Sequence, residues 1–289
     1  MPSGIGSEVF PLVVSPSLLF VASSLILFFV DLNPYELEPE IAKPNLPGSV
    51  IVRDTVDEVL DVLGVDLFCQ AKACVRGFGD FHLALSGGST QEPFYRKLMT
   101  DPALREFPWK RTHLWVVDER RVPFEDQKSN FGMIDQIIVR HSDIPRDQVH
   151  PIETLRDDAD VRYEDELRSA LEWREKGHDR LDFVLLGMGD DGHTASLFPR
   201  SPALVDDGRL VTINRGPNVT PPDRVTMTFS LLNASRFIAV LVTGRRKRET
   251  IARVAGKESA RADLPILGIE PLAGDVRWYL DRAACPGAD

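Results

Sequence analysis

The chain has 289 residues, 43% hydrophobic and 27% charged, the mix of an ordinary globular protein that buries a real core in one large domain or two small ones. A formal charge of −10 gives it no general attraction for nucleic acid or anionic lipid, so cations for an anionic substrate must be gathered locally. The cysteines are Cys69, Cys74 and Cys285, an odd count without metal-ligand spacing. They argue against a disulfide framework or a zinc site and fit a reducing cytoplasm.

The first segment stands apart. Residues 9–30 carry no charge, and Leu18-Leu-Phe-Val-Ala-Ser-Ser-Leu-Ile-Leu-Phe-Phe-Val30 is strongly apolar. Such a run is long enough to span a bilayer as a helix. No Lys or Arg precedes it, as one would in a signal sequence, and Pro11 and Pro16 interrupt its first half. A signal, a membrane anchor and a start codon placed too far upstream all remain open. Asn33 to Gly48 reads as a linker. The expected division is an apolar extension over 1–45 and a single α/β domain over 46–289. Membrane contact is expected only through residues 9–30.

From Ser49 onward, short apolar runs alternate with helix-like segments. Phe81-His-Leu-Ala-Leu85, His113-Leu-Trp-Val-Val117, Leu181-Asp-Phe-Val-Leu-Leu186 and Phe237-Ile-Ala-Val-Leu-Val242 read as buried parallel strands. Gln91 to Met99 and Asp157 to Glu175 read as helices, and Val276 to Leu280 as a final strand. Alternation of this kind predicts a Rossmann-like, mostly parallel sheet with helices on both faces. Each strand ends on a polar motif. Ligands of open α/β sheets bind outside the carboxyl ends of the strands, so four strand ends can build one site.

Ser86-Gly-Gly-Ser-Thr90 joins the first of these strands to a helix. Its glycines permit a tight turn, and its amides, with the hydroxyls of Ser89 and Thr90, suit phosphate at a helix N-terminus. A plain turn with a hydroxyl cap is the alternative. No Lys-Ser/Thr follows, so it is not a P-loop. Asp118-Glu-Arg-Arg121 reads as a loop whose Arg120 either pairs with an anion or makes local ion pairs. Ser129-Asn130-Phe131 helps to shape the pocket. Pro221-Pro-Asp-Arg224 reads as a rigid entry to an edge strand or loop, with Arg224 structural. Thr243-Gly-Arg-Arg-Lys247 offers Lys247 as a second cation, at a helix N-terminus where the dipole disfavours exposed positive charge.

Gly187-Met-Gly-Asp-Asp-Gly192-His193 fits Gly-x-Gly-x-x-Gly. Asp190 and Asp191 would nevertheless repel a pyrophosphate, and the strand comes late in the chain for a dinucleotide fingerprint. Asp191 and His193 read better as a working pair. A neutral imidazole takes a proton from water, and a carboxylate orients it and stabilises the imidazolium. A loop histidine bonded to backbone is the alternative.

Together these residues resemble the 6-phosphogluconolactonase family. Its most specific block, Gly-Met-Gly-x-Asp-Gly-His-x-Ala-Ser-Leu-Phe-Pro, stands at Gly187 to Pro199. The resemblance spans roughly Ser49 to Leu280. It also rests on Ser86 to Thr90, Asp118 to Arg120, Ser129-Asn130, Pro221 to Arg224, and Thr243-Gly244 with Lys247. It implies a fold related to the glucosamine-6-phosphate deaminases. It implies hydrolysis of 6-phospho-D-glucono-1,5-lactone to 6-phosphogluconate, the second step of the oxidative pentose phosphate pathway. By resemblance His193 is the general base and Asp191 its partner. Arg120 and Lys247 contact substrate, and Gly87, Gly88, Ser89 and Thr90 line the phosphate end. One departure is Gln91, where a proline commonly follows Ser-Gly-Gly-Ser-Thr.

Two other readings compete. A glucosamine-6-phosphate deaminase carries Asn-Glu-Pro after its Asp-Gly-His turn and Asp-Glu-Tyr in place of Asp118-Glu-Arg120. A non-catalytic sugar-phosphate-binding regulator predicts binding without turnover, against which the Asp191–His193 pair argues. No metal or organic cofactor is called for. There is no Gly-x-Ser-x-Gly elbow and no cysteine placed as nucleophile. The expected partner is a small phosphorylated sugar lactone, with no nucleic acid, and the expected state a cytoplasmic monomer or weak homodimer. Deleting residues 1–45 is expected to leave a soluble protein with the full chain's turnover, because every motif follows Leu85. Comparison of the two forms for membrane partition and turnover checks this; an insoluble or inactive truncated chain places the segment within the fold.

Overall fold

The computed structural model describes residues 42–172, 174–205, 208–256 and 259–287; the apolar run of residues 9–30 lies outside them. Among the described residues no helix is long and apolar enough to cross a membrane. Leu46 is buried, and the Pro47 carbonyl accepts from Trp278 Nε1 at 2.9 Å.

Strand β1 (Ser49–Arg53) leads into α1 (Val56–Phe78). Thr55 caps that helix reciprocally: its hydroxyl accepts from Glu58 N at 3.3 Å, and the Glu58 carboxylate accepts from Thr55 N at 3.0 Å. Val59, Leu63, Leu67, Ala71 and Cys74 recur at helical spacing and are buried. Gly79, at φ 94°, ends the helix in the left-handed conformation that a glycine adopts without strain. The chain continues through β2 (Phe81–Leu85), α2 (Glu92–Thr100), β3 (Thr112–Val116), β4 (Asp118–Arg120), α3 (Asn130–Ile134), β5 (Val149–His150) and α4 (Ala159–Leu171). It then forms β6 (Phe183–Leu186), β7 (Val211–Arg215), β8 (Asp223–Met227), α5 (Phe229–Ala234), β9 (Phe237–Val242), α6 (Arg248–Ala255) and β10 (Asp275–Asp281).

Seven strands form one parallel sheet in the order β1-β10-β9-β6-β2-β3-β5. The expected strands are all present, and β2, β6 and β9 are buried along their whole length. From β2 the chain winds toward the β5 edge, whereas β6 lies on the other side of β2. The β6/β2 boundary is therefore a topological switch, where a crevice opens at the carboxyl ends.

The structure corrects three local expectations. Asp118–Arg120 is a strand, not a loop, and Val225 belongs to no edge. Strand β8 is the centre of a second, antiparallel sheet of order β4-β8-β7, bonded on both sides. Three residues are too few to show a strand period, so β4 had no signal apart from its partner. The helix expected over Asp157 to Glu175 runs only from Ala159 to Leu171.

At the amino ends of β2 and β3 lies a stack of imidazoles. His82 stacks on His113 at 4.5 Å between centroids, and His150 stacks on Trp115 at 3.7 Å. His113 Nδ1 is 3.0 Å from His150 Nε2, and His150 Nδ1 is 2.6 Å from Glu166. Burial first, then the neighbouring His82 and His150, pushes the His113 imidazole from its ordinary 6.5 down to about 4. The fold holds this ring neutral, and the unfolded chain takes up the proton first. Stability is thus present above about pH 6.5 and is lost as pH falls toward 4. The expected loss is of the order of 2–3 kcal/mol from this ring. Denaturant titrations at pH 7, 5.5 and 4 check it. His113→Phe, which keeps the stacking, is expected to flatten the slope; equal slopes in both proteins would remove His113 from the account.

Candidate active site

A cavity of about 430 Å³ lies at the carboxyl ends of β2, β3 and β6, walled by residues 86–91, Asp118, Arg120, Asn130, residues 187–189, His193 and Arg224 among others. Sequence motifs from three of the four strand ends thus meet in one place. The fourth does not join them: Lys247 is absent from the cavity wall.

The loop after β2 is held from behind. Tyr95 Oη donates to the Ser86 carbonyl, and the Ser86 amide donates to the Leu185 carbonyl at 3.2 Å. The amides of residues 87–90 take no hydrogen bond among the described residues and remain as donors beside the cavity. Gly87 is required by a neighbour, since a Cβ there would lie 1.7 Å from Asn130 Oδ1. Asn130 is itself placed by Glu119, a carboxylate only 1% exposed. Glu119 accepts from the amides of Arg120 at 2.7 Å, Asn130 at 2.8 Å and Phe131 at 2.7 Å, and from Ser129 Oγ at 3.0 Å. Burial raises the Glu119 pKa above its ordinary value although each of these bonds lowers it. Asn130 Nδ2 donates to the Asp118 carbonyl at 2.7 Å, which closes the knot.

The cationic end is made by two arginines. Arg120 and Arg224 face each other across β4 and β8, and both line the cavity. Like charges directly opposite on a sheet are destabilising, and an anion placed between them would offset that repulsion. Arg224 is only 5% exposed; burial first, then the Arg120 charge, lowers its guanidinium pKa below the usual value. Its Nη1 donates to the carbonyls of Pro221 and Asp223. Arg120 Nη1 donates to the Lys128 carbonyl at 2.5 Å. Arg224, expected to be structural, lines the cavity instead, because its pairing with Arg120 depends on a sheet register that no spacing discloses.

The loop after β6 carries the titratable pair. His193 Nδ1 lies 2.5 Å from Asp191 Oδ1, which also accepts from the His193 amide at 3.1 Å. His193 lines the cavity, and its Nε2 has no partner among the described residues. Burial opposes the charge on Asp191, but the bonds and charge of His193 prevail and hold the carboxyl below the usual carboxylate range. Asp191 faces the other way, onto a second cavity of about 560 Å³ that shares Phe198 and Val219 with the first. Thr194 Oγ1 donates to the Gly187 carbonyl at 2.8 Å, and Ser196 Oγ donates to Asp118 Oδ2 at 2.6 Å. The loop is thereby fastened to both β6 and β4.

Lys247 Nζ donates to Asp190 Oδ1 at 2.6 Å, and Arg246 to Asp190 Oδ2 at 2.6 Å. The Lys247 bond is the first cause that holds Asp190 below its usual range, ahead of burial, which opposes it. Of the expected site residues, His193, Gly87, Gly88, Ser89, Thr90 and Arg120 line the cavity, Asp191 backs it, and Lys247 stands outside it.

One further cluster has the composition of a metal site. The ligand atoms of Asp80, His82 and His113 lie within 4.8 Å of one another. Trp115 Nε1 donates to His82 Nδ1 at 3.0 Å, so the neutral ring carries its proton on Nε2, which faces Asp80 Oδ2 at 3.3 Å. Arg174 also bonds to Asp80. The donor atoms are committed to one another, and the cluster reads as a structural knot.

Residues 54–278 match the family described as glucosamine-6-phosphate isomerases/6-phosphogluconolactonase. The chain belongs to this family. A human relative, the GDH/6PGL endoplasmic bifunctional protein, is 37% identical over 93% of this chain and 35% of its own length. A rabbit protein of the same name is 36% identical over 83% of this chain and 30% of its own length. The chain therefore spans about a third of these bifunctional relatives. A Synechocystis 6-phosphogluconolactonase is 36% identical over 71% of this chain and 84% of its own. Among solved structures, the 6-phosphogluconolactonase of Thermotoga maritima superposes with a TM-score of 0.69 at 28% identity, covering 81% of this chain and 99% of that one. A monomeric glucosamine-6-phosphate deaminase superposes with a TM-score of 0.68 at 21% identity, covering 82% of this chain and 98% of that one, and so shares the fold.

Within the family fold, Gly189 has a local duty. A Cβ there would lie 2.2 Å from His193 Nδ1 and 2.7 Å from Asp191 Oδ1. Gly189→Ala is expected to stay folded, at a cost of about 1–3 kcal/mol for overpacking, and to separate the pair. Turnover of a phosphorylated sugar lactone should fall at least about tenfold if orientation of the ring matters. Wild-type turnover in the folded variant would show that the His193–Asp191 contact is dispensable.

Proposed function

We propose that the domain, residues 46–289, hydrolyses 6-phospho-D-glucono-1,5-lactone to 6-phosphogluconate. The observation that carries this reading is the His193–Asp191 pair at 2.5 Å, set on the wall of a cavity that also presents the Gly87–Thr90 amides and two arginines. One end suits a phosphate and the other suits activation of water, in a single space of sugar-phosphate size. Family membership and relatives named 6-phosphogluconolactonase support it.

Each group has a step. The phosphate is held by the amides of Gly87 to Thr90 and by Arg120, with Arg224 beside it. Neutral His193 accepts a proton on Nε2 from a water as that water attacks the C1 carbonyl. Asp191, bound to Nδ1, fixes the tautomer and stabilises the imidazolium. The tetrahedral intermediate collapses with cleavage of the C1–O5 bond. The imidazolium returns its proton to the departing O5. A lactone, already an activated ester, needs neither a covalent intermediate nor a strong nucleophile. Lys247, ion-paired with Asp190, stands in this reading as a cation at the rim, next to the loop that carries the base.

His193→Ala is expected to remain folded and to lose about a hundredfold or more in kcat, the usual worth of a general base. The assay uses freshly prepared 6-phosphogluconolactone, corrected for spontaneous hydrolysis, with ammonia release from glucosamine-6-phosphate as the competing reading. Activity of the variant within twofold of wild type would reject His193 as the base. Ammonia release without lactone hydrolysis would reject the lactonase reading itself.

A further inference from the structure

Gln91 follows the phosphate loop at the N-cap of α2, at the position where the family commonly has proline. Its side chain makes no capping bond and takes no hydrogen bond among the described residues. Yet the residue is only 3% exposed and lines the cavity. Its carboxamide opens on that cavity with no protein partner, so its donors and its acceptor are free for a ligand. Beside it, Ser86 Oγ is also buried, also without a partner, and also on the cavity wall.

The position of the amide indicates what completes it. A Cβ on Gly88 would lie 2.9 Å from Gln91 Oε1, and a Cβ on Gly187 would lie 2.4 Å from Gln91 Nε2. The carboxamide thus lies between the phosphate loop and the first residue of the loop that carries His193. Gly187 stands two residues from Gly189, against which the His193 ring rests, a span of at most about 7 Å between Cα atoms. The phosphate is already served by cations and backbone amides, and the reacting carbonyl by the histidine. Between the two, a bound sugar presents hydroxyl groups, each a donor and an acceptor. A neutral carboxamide, with two donor hydrogens and a carbonyl oxygen, matches them where a cation or a proline would not.

We propose that Gln91 is a specificity-determining residue that hydrogen-bonds the sugar hydroxyls lying between the phosphate and the carbonyl carbon. This rests on the lactonase reading and adds to it a contact that the reading does not itself require. The test compares wild type with Gln91→Leu and Gln91→Met, two apolar side chains of similar size, the second flexible enough to fill the same space. Calorimetric titration with 6-phosphogluconate should show affinity reduced about five- to tenfold in both variants. Affinity for inorganic phosphate, which carries no sugar hydroxyl, should stay within twofold, and KM for the lactone should rise in step with the loss of product affinity. Unchanged 6-phosphogluconate affinity in either folded variant overturns the proposal. So does an equal loss for phosphate, which would mark Gln91 as support for the loop. A wild-type protein that neither hydrolyses the lactone nor binds 6-phosphogluconate is a separate outcome, and it overturns the lactonase reading together with this contact.

Discussion

The candidate site depends on the burial of one carboxylate. Glu119 gathers three backbone amides and the Ser129 hydroxyl, and so joins β4 to the start of α3. That junction presses Asn130 against Gly87 and fixes the Ser86–Thr90 loop from the side, while the pairing of β4 with β8 brings Arg120 opposite Arg224. An alanine at 119 would leave several buried donors without acceptors, each costing about 1–3 kcal/mol. The carboxylate itself is absent from the cavity wall. Its effect reaches the ligand through the groups it positions.

The second sheet gives this arrangement its rigidity. Strand β4 is only three residues long and would not hold alone. It is stabilised by β8, which β7 supports on the far side, and by Ser196, which connects Asp118 to the histidine loop. The parallel sheet delivers three strand ends to one edge, and the antiparallel sheet closes the cavity with an arginine from each of two strands. The two sheets share the work unequally: one supplies loops, the other charge.

Much of this was legible in the sequence, for physical reasons. Apolar runs such as Phe237 to Val242 have no polar face because both faces of a parallel strand are covered. Glycine-rich punctuation after Leu85 and Leu186 marks the loops that approach a ligand. The pairing of Asp191 with His193 follows from a two-residue spacing across a tight turn. What was not legible depends on contacts between distant segments. Arg224 is a structural arginine until β8 is placed against β4. Gln91 is a neutral departure from the family pattern until its amide is found on the cavity wall without a protein partner. Lys247 looked like a site cation, but the sequence alone does not show that Asp190 engages it. The buried histidine stack left no motif, since its members come from three strands.

The two cavities that meet at Phe198 and Val219 separate the faces of the Asp191–His193 pair. Opening the proposed lactone at neutral pH yields a carboxylate, so each turnover leaves one surplus proton to be delivered to bulk solvent. While product still fills the space in front of His193, that direction is obstructed. Asp191, with its side chain 47% exposed, meets solvent from behind. In the proposed cycle the imidazolium has already returned its own proton to O5, so what leaves by this route is the proton that the new carboxylic acid passes to His193, and buffer collects it at Asp191 through the back wall before the sugar acid departs.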